Sequence, residues 1–97
     1  MSSATKRWIH VSFSWPSGAN PEQVESLFNK ATDWVKYSRN CWLLYTGLDL
    51  EVWAKRVRAL PGMEKQNVFV MEVDDPHTAE GFLPDWIWDK LYEYDDD

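Results

Sequence analysis

The chain contains few chemically reactive side chains: one cysteine, Cys41, and two histidines, His10 and His77. A cysteine nucleophile needs a histidine base within hydrogen-bond reach and a third group that orients that base. Cys41 lies in a β-rich run of residues, where a thiol usually packs as a small hydrophobic group. The sequence therefore predicts no cysteine-based catalytic site.

A second group of candidate residues lies in one acidic loop, where His77 is surrounded by Asp74, Asp75 and Glu80. Imidazole and carboxylate groups are common ligands of divalent cations. However, this spacing matches no known metal motif, and the same residue types form ordinary solvated turns. The four glycines are too scattered to form a phosphate-binding loop. We therefore expect no resident metal ion, no cofactor and no catalytic residue.

Seven tryptophans in 97 residues are the strongest anomaly of composition. Trp34 and Trp53 fall on apolar helical stripes and are expected in the core. The other indoles exceed what the core needs, and aromatic residues on a sheet face without helices need a cover or a partner. The expected binding or interface residues are Trp8, His10, Trp15, Arg39, Trp42, Trp86, Trp88, Asp95, Asp96 and Asp97.

Three covers for such a face remain open. The terminal helix could fold back over it, or a second copy of the chain could bind there through a two-fold interface. Alternatively, nucleic-acid bases could stack on Trp8 and Trp42, with Arg7 and Arg39 meeting the phosphates. The net charge of −6 disfavours nucleic acid as the partner.

Charge is unevenly distributed along the chain. Residues 72–97 hold ten acids and one lysine, a net charge of −9, whereas residues 1–71 carry +3. Such a segment is either a solvated acidic end of the domain or an acidic surface for a basic partner. Both readings fit the sequence.

The length and composition predict a single domain over residues 1–97, with residues 1–6 and 93–97 frayed. No apolar run is long enough for a membrane span, and the polar first residues do not resemble a signal peptide. One cysteine cannot form an internal disulfide. We therefore expect a cytoplasmic protein with no membrane partner.

The pattern of apolar residues predicts an alternation of strands and helices. Residues 7–15 alternate as a strand with one wet face, and Asn20 with Pro21 starts a helix whose apolar stripe runs from 24 to 35. Residues 35–38 and 41–46, separated by Arg39-Asn40, predict a hairpin or one long bent strand, and the hairpin is the preferred interpretation. Asp49 is expected to cap a second helix that ends near Leu60. Residues 68–73 predict an apolar strand that is either central or a covered edge. A short helix over 84–92 follows, in which Ile87 and Leu91 form an apolar pair four residues apart.

This β-α-β-β-α-β order, with a short C-terminal helix, predicts an α+β fold. It is typical of a four-stranded antiparallel sheet with both long helices on one face.

The runs 40–46, 48–60, 67–73 and 81–84, followed by Trp88 and Leu91, resemble SinR-like bacterial proteins. These are similar to the small ferredoxin-fold subunit of the CRISPR spacer-acquisition complex and to VapD-like endoribonucleases. The resemblance covers residues 7–91 and implies a ferredoxin-like homodimer, often with paired sheets or edge strands. In the nuclease-like relatives the first strand ends in an aspartate that would bind a metal, but here Ser14 occupies that position. A neutral hydroxyl is a poor replacement for a carboxylate ligand of Mg²⁺.

The sequence therefore favours a non-catalytic interaction protein. We expect a small dimeric ferredoxin-like module that presents an acidic surface to a protein partner, for example a phage- or plasmid-encoded inhibitor of a nucleic-acid-binding defence complex. The alternatives are a divergent, inactive relative of metal-dependent endoribonucleases and a nucleotide or nucleic-acid binder that uses tryptophans on the sheet face.

Overall fold

The structure, a computed structural model, describes residues 5–15, 20–73 and 81–93 of the chain. Strands and helices follow in the order β-α-β-β-α-β-α. They are β1 (Arg7–Phe13), α1 (Pro21–Phe28), β2 (Asp33–Ser38), β3 (Cys41–Thr46), α2 (Leu50–Arg58), β4 (Val68–Val73) and α3 (Asp85–Glu93). The predicted α+β class is confirmed.

All strand pairs in the sheet are antiparallel, and the strand order is β2-β3-β1-β4. β1 is central, so that Val11 lies opposite Trp42 of β3 on one side and Val70 of β4 on the other. The predicted four-stranded antiparallel sheet is confirmed. β2 and β4 form its two edges among the described residues.

One face of the sheet packs against α1 and α2. Ile9, Val11 and Phe13 alternate onto this face, as successive side chains of a strand must, and contribute to the larger apolar cluster. The other buried members of this cluster are Val24, Leu27, Phe28, Trp42, Leu44, Trp53, Val57 and Met63. This cluster is the main core of the protein.

The opposite face of the sheet packs against α3. Ile87 and Leu91 are four residues apart on one side of this helix and are both buried against Trp8, Val35 and Leu43. The predicted pairing of Ile87 and Leu91 is therefore confirmed. Of the three covers expected for this face, the structure has the terminal helix, and α3 extends over only part of the sheet.

The first helix is shorter than the sequence predicted. α1 ends at Phe28, and Asn29 caps it with its backbone N–H bonded to Glu25 O and Leu27 O. Trp34 and Val35 continue the apolar helical stripe by coincidence, since they belong to β2 and lie in the clusters on opposite sides of the sheet. The predicted helical position of Trp34 is wrong, because residues 33–38 pair with β3 as an edge strand of the sheet.

Smaller boundary differences occur elsewhere. β1 ends at Phe13 rather than at Trp15, and β2 begins at Asp33 rather than at Val35. At the start of α2, Asp49 is the N-cap residue as predicted, although its side chain makes no capping hydrogen bond. Asn20 does cap α1, because its Oδ1 accepts from the Glu22 N–H at 3.0 Å.

Candidate functional site

The buried side of α3 packs against the sheet through apolar contacts and through two polar contacts. The Trp8 indole, only 3% exposed, donates from Nε1 to the Leu91 carbonyl at 3.2 Å. Lys90 Nζ lies 2.9 Å from Asp33 Oδ2 of β2 and 3.6 Å from Glu93 Oε1. These contacts fix the orientation of α3 and so determine which of its side chains face outward.

The outward side of α3 is acidic and carries one exposed indole. Asp85, Asp89 and Glu93 follow one another at helical spacing and are all exposed. Trp86 lies beside them and is 56% exposed. We call these four residues the α3 acidic face. Among the described residues that were predicted to bind or form an interface, Trp86 is the one large apolar side chain that is more than half exposed.

Trp88 lies on the flank of the same helix. It is half-buried against the cluster under α3, and its ring stacks on that of Tyr92 with a centroid distance of 6.1 Å. Its main contacts are therefore within the chain. The predicted interface residues Asp95, Asp96 and Asp97 lie outside the described residues.

Part of the sheet face beside α3 is covered by none of the described residues. Phe69 and Met71 of β4 point to this side, opposite Ser12 and His10 of β1, and are 57% and 47% exposed. A shallow depression of about 310 Å³ adjoins Phe69 at the end of the sheet, where Ser12 and Asn67 contribute to its lining. β4 therefore combines a sheet edge with two exposed apolar side chains.

Three polar side chains form a hydrogen-bonded group on the same face of the sheet. His10 Nε2 is 2.6 Å from the Tyr37 hydroxyl, and Tyr37 is also hydrogen-bonded to Cys41. Burial lowers the pKa of His10. Burial, together with the hydrogen bond and the charge interaction with Cys41, raises the pKa of Tyr37 to about 12. At neutral pH the pair is therefore a neutral imidazole and a neutral phenol.

The two ring nitrogens of His10 differ in their contacts. Nε2 contacts the Tyr37 hydroxyl, whereas Nδ1 is buried and has no hydrogen-bond partner within the described part of the molecule. The same described residues contain no group of three or more His, Cys, Asp or Glu side chains able to hold a metal ion. His77 and the acids around it lie outside the described residues.

Two of the tryptophans expected to be accessible are buried on opposite faces. Trp42 is 1% exposed in the main core, where its ring stacks on Phe13 at 4.8 Å with 12° between the planes. Trp8 lies under α3 on the other side of the sheet. The prediction that both rings share one accessible face is wrong, because β1 and β3 pair with Val11 opposite Trp42 and thus turn Trp42 toward the helices.

Trp15 and Arg39 meet at one end of the sheet. Trp15 Nε1 donates to the Arg39 carbonyl at 2.9 Å, and the Trp15 ring contacts Phe13 edge-on at 5.2 Å. Trp15 is therefore half-buried and packs against the edge of the main core. The Arg39 side chain is exposed at the turn between β2 and β3.

Ser14, which stands where nuclease-like relatives would have an aspartate, ties two segments together. Its Oγ donates to Gln66 Oε1 at 2.7 Å and accepts from the Asn67 N–H at 3.1 Å. The hydroxyl thus links the end of β1 to the residues that lead into β4. Both bonds suit a structural role for this residue.

Phe69 and Met71 were not among the predicted site residues. The signal for them was present, because residues 68–73 form a nearly continuous apolar strand. Sequence alone left open whether this strand is central or an edge, and only the strand order decides it.

Comparison with models of known families, with curated proteins and with solved structures finds no match. Among the described residues, no helix has both the length and the apolar character needed to cross a bilayer.

Proposed function

We propose that this chain is a non-catalytic interaction protein with a ferredoxin-like arrangement of strands, and that its α3 acidic face binds a basic surface of another protein. The strand order β2-β3-β1-β4, reached through two β-α-β units, supports the ferredoxin-like part of the proposal. The partner-binding part rests on α3. The resemblance to SinR-like proteins remains a sequence-based expectation.

One observation carries the proposal, namely that Trp86 is 56% exposed beside Asp85, Asp89 and Glu93 on a helix whose other side is docked. A large exposed indole is costly to leave in water, and tryptophan is enriched among residues that dominate binding energy at interfaces. A cation of a partner can lie over the indole while carboxylates pair with neighbouring cations. The face therefore fits a protein surface rich in arginine and lysine.

The charge of the whole chain supports the same class of partner. A net charge of −6 repels phosphate backbones and attracts basic proteins at long range. One specific form of the proposal is an inhibitor, encoded by a phage or plasmid, that competes with nucleic acid for the basic groove of a defence complex. In that form the acidic face occupies the site where phosphates bind.

Binding to basic peptides tests the proposal. We expect fluorescence anisotropy to detect binding of labelled arginine- and lysine-rich peptides, with affinity that falls as salt rises. Trp86→Ala and the double variant Asp85→Asn/Asp89→Asn should each weaken this binding about tenfold, in line with interface residues worth above ~1 kcal/mol.

The matched control is Glu22→Gln/Glu25→Gln, which removes the same charge from exposed positions on α1. This control should bind the peptides like the wild type. Equal losses in both double variants would mean that overall charge alone attracts the peptides, and the proposed site on α3 would be wrong. Cleavage of RNA or DNA by the purified chain with Mg²⁺ or Mn²⁺ would overturn the non-catalytic part.

A further inference from the structure

β4 has an edge that no other described strand occupies. Among the described strands it pairs only with β1, and the Ser14 N–H bond to Asn67 O at 3.0 Å marks residues 14 and 67 as a hydrogen-bonded pair. Such pairs alternate along an antiparallel ladder. The backbone N–H and C=O groups of Val68, Val70 and Glu72 therefore point away from β1, toward the open edge.

This edge lacks three features that often keep sheet edges from pairing, namely prolines, lysines and bulges. β4 contains no proline and no lysine, and its register with β1 is regular over all six residues. Natural edges are commonly protected by inward or flanking charges, prolines or bulges. Its two exposed apolar side chains, Phe69 and Met71, add surface that water solvates poorly.

The edge is also close to electrically neutral, unlike the chain as a whole. Glu72 is the only ionisable residue of β4, and its Oε1 lies 3.6 Å from Arg7 Nε. The net charge of −6 therefore does not place unpaired like charges at this strand. Two copies of the edge can approach each other without direct repulsion at β4 itself.

We propose that β4 pairs with β4 of a second copy of this chain, in antiparallel register about a two-fold axis at Val70. In this register Val70 faces the partner's Val70, and the outward groups of Val68, Val70 and Glu72 form six backbone hydrogen bonds across the axis. Phe69 lies opposite the partner's Met71, and Met71 lies opposite the partner's Phe69. The two sheets become one sheet of eight strands.

The arrangement of side chains around Val70 is what favours a second copy over an unrelated strand. Phe69 and Met71 are the residues immediately before and after the axis, so the symmetry brings each exposed apolar side chain onto another one. Directly opposed side chains have Cβ atoms about 4.5–5.5 Å apart, and a methionine sulfur against an aromatic ring is a favourable contact. An isologous interface needs this kind of self-complementarity.

The inference goes beyond the proposed function: it names a surface for the dimer that the sequence led us to expect, and it uses none of the residues of the α3 acidic face. A chain that is monomeric yet binds basic peptides would contradict the dimer alone. A dimer that binds no basic peptide would contradict the proposed function alone.

Complementary charges test the register. In sedimentation velocity experiments the wild type should form dimers of twice 11.5 kDa with a concentration-dependent fraction. Phe69→Lys and Met71→Glu should each sediment as a monomer, because each places two charges against apolar side chains. Mixed together, they should recover most of the dimer, since Lys at 69 then lies opposite the partner's Glu at 71 and the second pair is the native one.

A matched control makes the same change away from the edge. Phe82 is fully exposed, and Phe82→Lys should dimerise like the wild type. Because Phe69 and Met71 are also exposed, their variants should retain the far-ultraviolet circular dichroism of the wild type. A wild type that stays monomeric at all concentrations, or a mixture that does not recover the dimer, would overturn the proposal.

Disulfide trapping gives a second measurement of the register. In a Cys41→Ser background, an equimolar mixture of Phe69→Cys and Met71→Cys chains should form a cross-linked heterodimer under mild oxidation, because facing Cβ atoms are near disulfide distance. Each cysteine variant alone should cross-link much more slowly. Equal rates for Phe69→Cys alone and for the mixture would exclude the register about Val70.

Discussion

The two faces of the sheet are closed in different ways. The face under α1 and α2 is sealed by the largest side chains of the protein, and Trp42, Trp53 and Phe28 are at most 1% exposed. The other face has one helix, which buries a smaller cluster and leaves Phe69 and Met71 accessible. The first face holds the larger core, and the second retains exposed apolar surface.

The two edges of the sheet differ in the same sense. β2 carries an irregularity in its register between Lys36 and Ser38, and Lys36 is exposed. Bulges and lysines both discourage strand addition. β4 has neither, so an additional strand is expected at β4 and not at β2.

The largest loss of stability is expected from truncating a core side chain on the face that α1 and α2 cover. Trp42→Ala should lower the free energy of unfolding by about 3–5 kcal/mol, because it removes a ring packed on Phe13 and Phe28 and leaves a cavity that the core cannot fill. Urea unfolding followed by far-ultraviolet circular dichroism measures this loss. Trp86→Ala, at an exposed indole, is the control and should change the stability little. If the two variants unfold alike, the difference between the faces is not energetic.

A smaller and more local effect is expected under α3. Ile87→Ala should cost about 2–3 kcal/mol, at the low end for a buried isoleucine, because α3 can separate from the sheet without exposing the main core. Hydrogen exchange should accelerate in α3 and remain slow in α1 and α2. Equal acceleration in all three helices would show that both faces unfold as one unit.

The ion pair that joins α3 to β2 should contribute less. Lys90→Gln is expected to lower stability by about 0.5–1 kcal/mol, the range of partly exposed ion pairs, and less in high salt. Comparative urea unfolding at low and high ionic strength checks this value. Glu51→Gln, which breaks the fully solvated pair with Lys55 on α2, should have an even smaller effect. The opposite ranking would contradict the fastening role of Lys90.

The smallest expected effect is a pH dependence of the stability that arises from His10, on the face that α3 partly covers. The folded pKa of His10 is below its usual value of 6.5, so the unfolded chain binds its proton first as pH falls. The stability contributed by neutral His10 is therefore complete above about pH 6.5 and declines from there down to the lowered folded pKa. Thermal unfolding between pH 7.5 and 5.5 should show this decline in the wild type and not in His10→Gln. A decline of the same size in the variant would exclude His10 as its source.

The sequence predicted much of the fold because most of its signals are local. The alternation in β1, the Asn20-Pro21 start of α1, the Arg39-Asn40 turn and the Ile87 and Leu91 pair all follow from periods of two or 3.6 residues, which are properties of short segments. The prediction that the helical stripe continues through Trp34 was wrong for the same reason. A strand residue can fall at a helical spacing, and only pairing with β3 distinguishes the two.

The candidate sites were less predictable, since exposure depends on segments distant in sequence. Composition and the pattern of apolar residues predicted an acidic α+β protein with more indoles than a core requires. Which indoles remain accessible was decided by tertiary structure: the β1–β3 register turned Trp42 inward, α3 covered Trp8, and Trp86 stayed outside. The strand order likewise made β4 an edge. Burial depends on which segments pack against a residue, and the tertiary fold of the whole chain determines those segments.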